Sequence, residues 1–298
     1  MTKPLAAMLP YFGGKRTLAP TIVELLGPHK SYYEPFCGSA AVLFAKPVVP
    51  NETINDLHGD VVNLAMVLAS DKWEQLYEAV DRILVCEELI RSSREAFFEC
   101  YKPPASTRDV SDCHVTRAAE YLAASWIGRN GTAGQDRTGY QIAVRWTSGG
   151  GSPGNRWRSA VESVPKWHDR LKGVVVLNRD AFEIIDKVTD ESGTVIYCDP
   201  PYIDKTVVGG QRYRYKLSEQ SFFGEPDDHE RLSDSLNRFT RARVVVSYYD
   251  HPRLDDLYVR HGWTKLDVHM QKKLAIQNRR GVNFVEAPEV LLINAKAA

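Results

Sequence analysis

An α/β fold is predicted for this chain of 298 residues by three features of its sequence. Strand-like and helix-like runs alternate over residues 31–56 and again from about 161 to the end, the pattern of an open sheet covered by helices. The run Thr194-Val195-Ile196-Tyr197-Cys198 is apolar and β-branched, as suits a strand buried on both faces. It leads straight into Asp199-Pro200-Pro201-Tyr202, where neither proline has an N–H to continue a ladder. Residues 60–128 instead carry helical periodicity, so a mostly helical insertion interrupts the sheet. The expected boundaries are 1–70 and 160–298 for the sheet domain and 71–159 for the insertion.

The elements follow in order. Tyr11-Phe12-Gly13-Gly14-Lys15 is a tight glycine turn leading to a helix from Leu18 to Leu26. A strand beginning at Ser31 ends in Glu34-Pro35-Phe36-Cys37-Gly38-Ser39-Ala40, and small apolar residues to Ala45 then form a helix. This is a nucleotide-type loop but not the dinucleotide G-x-G-x-x-G fingerprint, which disfavours a nicotinamide dehydrogenase. Glu52 to Asp56 is the second strand, ending in an acid 18 positions after Gly38. An acid there can accept hydrogen bonds from ribose hydroxyls, or Asn55 or Asp56 can cap the helix that begins near Gly59. The pairing of glycine turn and acid points to an adenosine-bearing cofactor.

Helices are predicted over Val61–Leu68, Trp73–Val85, Leu89–Tyr101 and Thr116–Ile127, with a break at Pro103-Pro104. Residues 129–158 read as a β-hairpin in which Tyr140–Trp146 alternates and Gly149–Gly154 forms a mobile tip. Its arginines and tryptophans suit phosphate contact and base stacking, and a surface hairpin with no partner has the same composition. A helix from Val161 to Leu171 and a strand over Val174–Leu177 come next, then a helix that Asp180 caps. Beyond the Asp199 lip lie a loop over 206–216, a helix over 226–239, a strand at Val244–Ser247 and a helix over 253–260. The strands Trp263–His269 and Glu289–Ile293 close the chain, joined by an irregular basic link.

Composition bounds the function. Thirty-eight basic and thirty-eight acidic residues leave no net charge, an awkward balance for a nucleic-acid binder. Three segments depart from it. Arg129 to Arg158 holds five arginines and one acid, while Lys205–Lys216 and Lys272–Arg280 each hold four basic residues and none. Each segment reads as a solvated face or as one wall of a basic cleft. The five cysteines and eight histidines have no metal-ligand spacing, so no bound metal is expected. No run of about 18 apolar residues exists for a membrane span. The N-terminus lacks the apolar core of a signal peptide, so a cytoplasmic protein is expected.

At the carboxyl end of a strand, where open α/β sheets bind ligands, Asp199-Pro200-Pro201-Tyr202 offers a carboxylate, carbonyls and a flat ring. Those groups can hold a planar ring that bears an amine. The stretch also reads as a strand-ending turn with a solvated acid.

Four elements in order, Tyr11-Phe12-Gly13-Gly14-Lys15, Glu34 to Ala40, Ile54-Asn55-Asp56 and Asp199-Pro200-Pro201-Tyr202, resemble the Dam-type family of DNA adenine methyltransferases. Arg129-Asn130-Gly131 is similar to the start of that family's recognition hairpin, and Glu289–Ile293 to its last strand. The resemblance implies a Rossmann-like class I S-adenosylmethionine methyltransferase sheet with an inserted, mostly helical DNA-recognition domain carrying a β-hairpin. It implies S-adenosylmethionine as cofactor and double-stranded DNA as partner, with adenine flipped out of the helix for methylation of its exocyclic amine.

By the same resemblance, Asp199, Pro200 and Tyr202 are the catalytic residues. The cofactor is held by Tyr11, Lys15, Pro35, Phe36, Gly38, Ala40, Asp56, Asp180, Phe182 and Asp199. From the basic segments and the hairpin, DNA is expected to be met by Arg129, Asn130, Arg137, Arg145, Arg156, Arg158, Lys205, Arg212 and Arg214. The chain departs from the family in Tyr11 for its usual Trp, in Ala40 for its second glycine, and in Ser247-Tyr248 for its Ser-Asn. Ala40 still permits a close turn if its φ is negative, so cofactor binding is expected to persist. The rival readings are an amino-methyltransferase for cytosine N4 or for RNA adenine, and a non-catalytic DNA-binding protein of the same fold.

Overall fold

A computed structural model of the protein describes residues 5–10, 15–86, 101–129, 139–142, 152–203, 226–270 and 287–294. The predicted helix Leu89–Tyr101, the glycine tip, the loop 206–216 and the basic link all fall wholly or largely outside these residues.

Seven strands form one mixed sheet: β1 (Ser31–Glu34), β2 (Asn51–Asn55), β5 (Val174–Leu177), β6 (Thr194–Cys198), β7 (Arg243–Tyr249), β8 (Thr264–Met270) and β9 (Ala287–Ile293). Their spatial order is β5-β2-β1-β6-β7-β9-β8. The first five run parallel, while β9 is antiparallel to both of its neighbours. The chain winds outward from β1 through β2 to β5, then returns to place β6 on the other side of β1. That reversal opens a crevice between the carboxyl ends of β1 and β6. All five residues of β6 are buried, as its continuous apolar run requires.

The helices of the crossover between β2 and β5 are α3 (Gly59–Ala69), α4 (Trp73–Asp81), α5 (Asp112–Ile127), α6 (Pro153–Val161) and α7 (Val164–Leu171). The short helices α1 (Ala19–Leu26) and α2 (Ala41–Ala45) precede them; α8 (Ala181–Lys187), α9 (Pro226–Asn237) and α10 (Arg253–Leu257) follow. One continuous core runs from α1 and β1 through α3 to Leu76, Val80, Leu122, Trp126 and Trp157. The described helices between β2 and β5 therefore share their core with the sheet. Two indoles bind this layer to the N-terminal segment: Trp126 donates to the Met8 carbonyl at 2.8 Å and Trp167 to that of Ala6 at 2.6 Å. A second core, around Ile196, Leu232, Val246, Tyr248 and Tyr258, lies under α8 to α10.

Several expectations need correction. Helix α3 is capped by His58, whose Nδ1 accepts from the Asp60 amide at 3.2 Å, and not by Asn55 or Asp56. Helix α5 begins at Asp112, four residues early, because Ser111 and His114 close a reciprocal capping box. In the 129–158 segment, β3 (Gly128–Arg129) does pair antiparallel with β4 (Gly139–Ile142). The hairpin, however, does not extend to Arg158. Ser152 accepts from the Asn155 amide and Pro153 stands in the first turn, so the chain turns helical there. Trp157 consequently packs in the core and does not stand ready to stack on a base. The helix expected over 161–171 is α7 and begins at Val164, with Pro165 in its first turn, because Val161 ends α6.

Candidate active site

Two loops meet at the crevice. The first leaves β1 at Glu34 and turns at Gly38, where φ is +47°, and at Ala40, where φ is +53°. Among the described residues Ala40 alone of the non-glycines has positive φ, so the condition of a negative φ set for it is not met. Glycine adopts this conformation freely, whereas an alanine pays about 1 kcal/mol for it. The turn is held by the Ala40 amide on the Cys37 carbonyl at 2.7 Å and the Met8 amide on the Ser39 carbonyl at 3.2 Å.

Asp56, just past β2, fastens this loop from the side. One of its oxygens accepts the Gly38 amide at 2.7 Å and the other the His58 amide at 2.8 Å. Burial pushes the Asp56 carboxyl up, and those amides pull against it. Asn55 ties in a third segment: its Nδ2 donates to the carbonyls of Pro35 (3.0 Å) and Arg179 (2.9 Å), and its Oδ1 accepts the Arg179 amide at 2.9 Å. Asp180 follows directly and caps α8 through the Phe182 amide at 2.9 Å. Pro35, Gly38, Asp56 and Asp180 thus lie along one wall. Phe36 is half-buried against the second core, and Phe182 is buried with the Arg231 guanidinium 3.8 Å from its ring centre.

The second loop is the Asp199 lip, beyond β6. Lys15, buried at the start of the first helical turn, places its ammonium 2.8 Å from Asp199 Oδ1, 3.0 Å from Glu289 Oε1 and 2.6 Å from the Tyr202 hydroxyl. Tyr202 in turn donates to Glu289 Oε1 at 2.8 Å. Burial alone would lower the Lys15 pKa, but the Asp199 and Glu289 carboxylates outweigh it and hold the ammonium above its ordinary value. Burial, then the nearby Asp199 charge, raises the Tyr202 hydroxyl far above its ordinary range. The Tyr202 ring meets Tyr249 edge-on, with centroids 4.6 Å apart. On the β7 side, the Ser247 hydroxyl donates to Asp199 Oδ1 at 2.9 Å. At the end of β1, Glu34 accepts from the Tyr32 hydroxyl at 2.8 Å, and burial pushes its carboxyl up to about 8.

Lys15, Asp199 and Tyr202 are therefore brought together, as are Pro35, Gly38, Ala40, Asp56 and Asp180. Pro200 is buried next to Asp199. Arg156, half-buried, and Arg158, exposed, sit on α6, and Arg129 forms β3. Tyr11, Asn130, Arg137, Arg145, Lys205, Arg212 and Arg214 lie outside the described residues. Three members of the site were missed: Glu289, Ser247 and Glu34. An acid opening an apolar strand and a serine ending Val244-Val245-Val246 were the available signals.

A family model described as D12 class N6 adenine-specific DNA methyltransferase matches residues 11–271. The chain belongs to this family. A D12 class enzyme transfers a methyl group from S-adenosylmethionine to the N6 amine of adenine in DNA, as the ordered motifs imply. No curated protein matches the chain. Among solved structures it is similar to the precorrin 8W decarboxylase of Methanobacterium thermoautotrophicum, at 11% identity over 93% of this chain and 88% of that one, with a TM-score of 0.37. It is likewise similar to the precorrin-6y C5,15-methyltransferase of Geobacter metallireducens, at 10% identity over 95% and 87%, with a TM-score of 0.36.

The residues of this D12 methyltransferase fit its cofactor. The Gly38–Ala40 turn has small side chains at its two left-handed positions, so its backbone can be approached closely. The Asp56 oxygens accept the Gly38 and His58 amides and, as carboxylate oxygens, have capacity for a further donor. Asp199 brings a partly exposed carboxylate to the crevice, where a sulfonium cation would be favoured.

Proposed function

We propose that Asp199, Pro200 and Tyr202 carry out methyl transfer to adenine, with the cofactor along the wall formed by Phe36, Gly38, Ala40, Asp56, Asp180 and Phe182. The observation that supports this reading most is the place of Asp199: at the carboxyl end of β6, across the crevice from the glycine turn, anchored by Lys15. When bound, S-adenosylmethionine supplies an electrophilic methyl group. The amine of adenine is a poor nucleophile because its lone pair is delocalised into the ring. Asp199 and the Pro200 carbonyl each accept one amine hydrogen, which favours a tetrahedral nitrogen with its lone pair freed. Positioning and preorganised hydrogen bonds supply the catalysis, and no covalent enzyme intermediate is needed. Once methylated, the nitrogen is acidic and gives its proton to Asp199 or to water.

A base within a duplex cannot reach this lip, so the target adenine is flipped out at a cost of a few kcal/mol. Tyr202 stacks on it, its ring plane fixed by the hydroxyl held between Lys15 and Glu289. Since Tyr202 is buried, the groups covering its ring must give way to admit the base. Residues 71–159 serve as the inserted target-recognition domain, with the arginines of the 129–158 segment on the phosphates. The test is incubation with methyl-labelled cofactor and duplex DNA, followed by nucleoside analysis. 6-Methyladenine from the native protein and none from Asp199→Ala is expected; 4-methylcytosine, or product from the variant, overturns the reading. With the methylated sites mapped by sequencing, 2-aminopurine at the target position should brighten on binding as it leaves the stack.

A further inference from the structure

Asp199 is held unevenly. Its Oδ1 lies 2.8 Å from the Lys15 ammonium and 2.9 Å from the Ser247 hydroxyl. Among the described residues Oδ2 has no protein donor, and the side chain is 25% exposed. A carboxylate so placed has one oxygen turned to the protein and one to whatever enters the crevice.

Ser247 is fully buried at the carboxyl end of β7. The parallel register pairs Cys198 with Val246, so Asp199 and Ser247 are each the next residue along. A serine hydroxyl has one proton. Donated to Asp199, it obliges the Tyr197 hydroxyl, 3.0 Å away, to donate to Ser247 Oγ. The hydrogen bonds therefore run one way, from Tyr197 through Ser247 to Asp199. The second nearby acceptor, the Cys198 carbonyl at 3.4 Å, is the weaker partner. A polar group buried here without a partner would be costly, and its partner is the acid of the lip.

We infer that Ser247 is a positioning residue for methyl transfer: with Lys15 it commits Asp199 Oδ1 to the protein and leaves Oδ2 as the oxygen that accepts the target amine hydrogen. The inference rests on the reading of Asp199 as the amine acceptor. Ser247 touches neither base nor cofactor and acts only through the carboxylate, so its loss frees the side chain to rotate. The rate of the chemical step falls while binding does not.

The experiment compares native protein, Ser247→Ala, Ser247→Thr and Asp199→Ala in single-turnover methylation of duplex DNA, with separate titrations of S-adenosylmethionine and DNA. Ser247→Ala is expected to slow transfer about tenfold, with dissociation constants changed less than about twofold, and Ser247→Thr to recover most of the rate because it keeps the donor. Native rate in Ser247→Ala, a loss residing wholly in binding, or no recovery with Ser247→Thr overturns the inference. If Ser247→Ala does not fold, as judged by circular dichroism, Ser247→Cys carries the same comparison with a weak donor in the same shape. Asparagine keeps an acceptor oxygen, so Asp199→Ala, measured alongside, separates the two levels. Loss of activity there with a fully active Ser247→Ala removes only the positioning role, whereas an active Asp199→Ala removes the reading beneath it.

Discussion

Asp56 and Asp199 stand just past the carboxyl ends of β2 and β6, the two strands that flank β1, yet their carboxylates are used differently. Both oxygens of Asp56 accept backbone amides, one from the glycine turn and one from the approach to α3. Asp199 has its Oδ1 on two side chains, and among the described residues no donor reaches its Oδ2. An acid that binds amides at both oxygens shapes a loop. An acid held at one oxygen is oriented and still has an acceptor to offer. The same residue type at the same topological position thus has both oxygens on backbone amides on one side of β1 and a single oxygen on side chains on the other.

Four variants would break or sharpen this contrast. Asp199→Ala should lower methyl transfer by at least about 10³-fold, or about 4 kcal/mol, with an unchanged circular dichroism spectrum. Persistent turnover in that variant would erase the distinction between the two acids.

Glu34, on β1 between them, should make stability depend on pH. Its carboxyl titrates near 8 when folded against 4.5 unfolded, so the folded state holds the proton more tightly. The contribution of this group is fully present below about pH 4.5 and is lost as pH rises through about 8, by up to roughly 4–5 kcal/mol. Urea denaturation at pH 5 and pH 8 should show the fall, and Glu34→Gln should flatten it.

Asp56→Asn turns one acceptor into an NH2 group facing an amide. It should cost about 1.5–3 kcal/mol of stability and weaken cofactor binding while leaving the rate at saturating cofactor close to native. A fall in saturated rate as large as that of Asp199→Ala would make Asp56 more than a brace.

The smallest effect concerns the turn that Asp56 holds. Ala40→Gly should relieve about 1 kcal/mol of left-handed strain, less the contacts of one buried methyl group, and so raise the thermal midpoint slightly. A drop of more than about 1 kcal/mol would mean that methyl packing outweighs strain at this position.

What could be read before folding was local. The β-branched run of β6 and the two prolines after it are adjacent in the chain, so the lip was legible, as were the glycine turn, the acid 18 residues on and the Asp180 cap. The helical character of the chain after β2 was legible from the loss of alternation there. The failures were local too: Ser152-Pro153 is a helix start that the neighbouring glycines disguised, and the sign of φ at Ala40 depends on how Asp56 and Met8 draw the turn tight.

By itself, then, the sequence determined which residues have the chemistry to hold a methyl donor and an amine, and that they sit at strand ends. Only the tertiary structure decided what holds them. Glu289 is 90 residues from Asp199 and Ser247 is 48, and each reaches the lip because β7 lies beside β6 and β9 beside β7. Strand order is set by how the faces bury and by the handedness of the crossovers, which no short window of sequence contains. The lip was visible in the chain, but the oxygen of Asp199 left facing the crevice was settled by strands that the chain reaches only later.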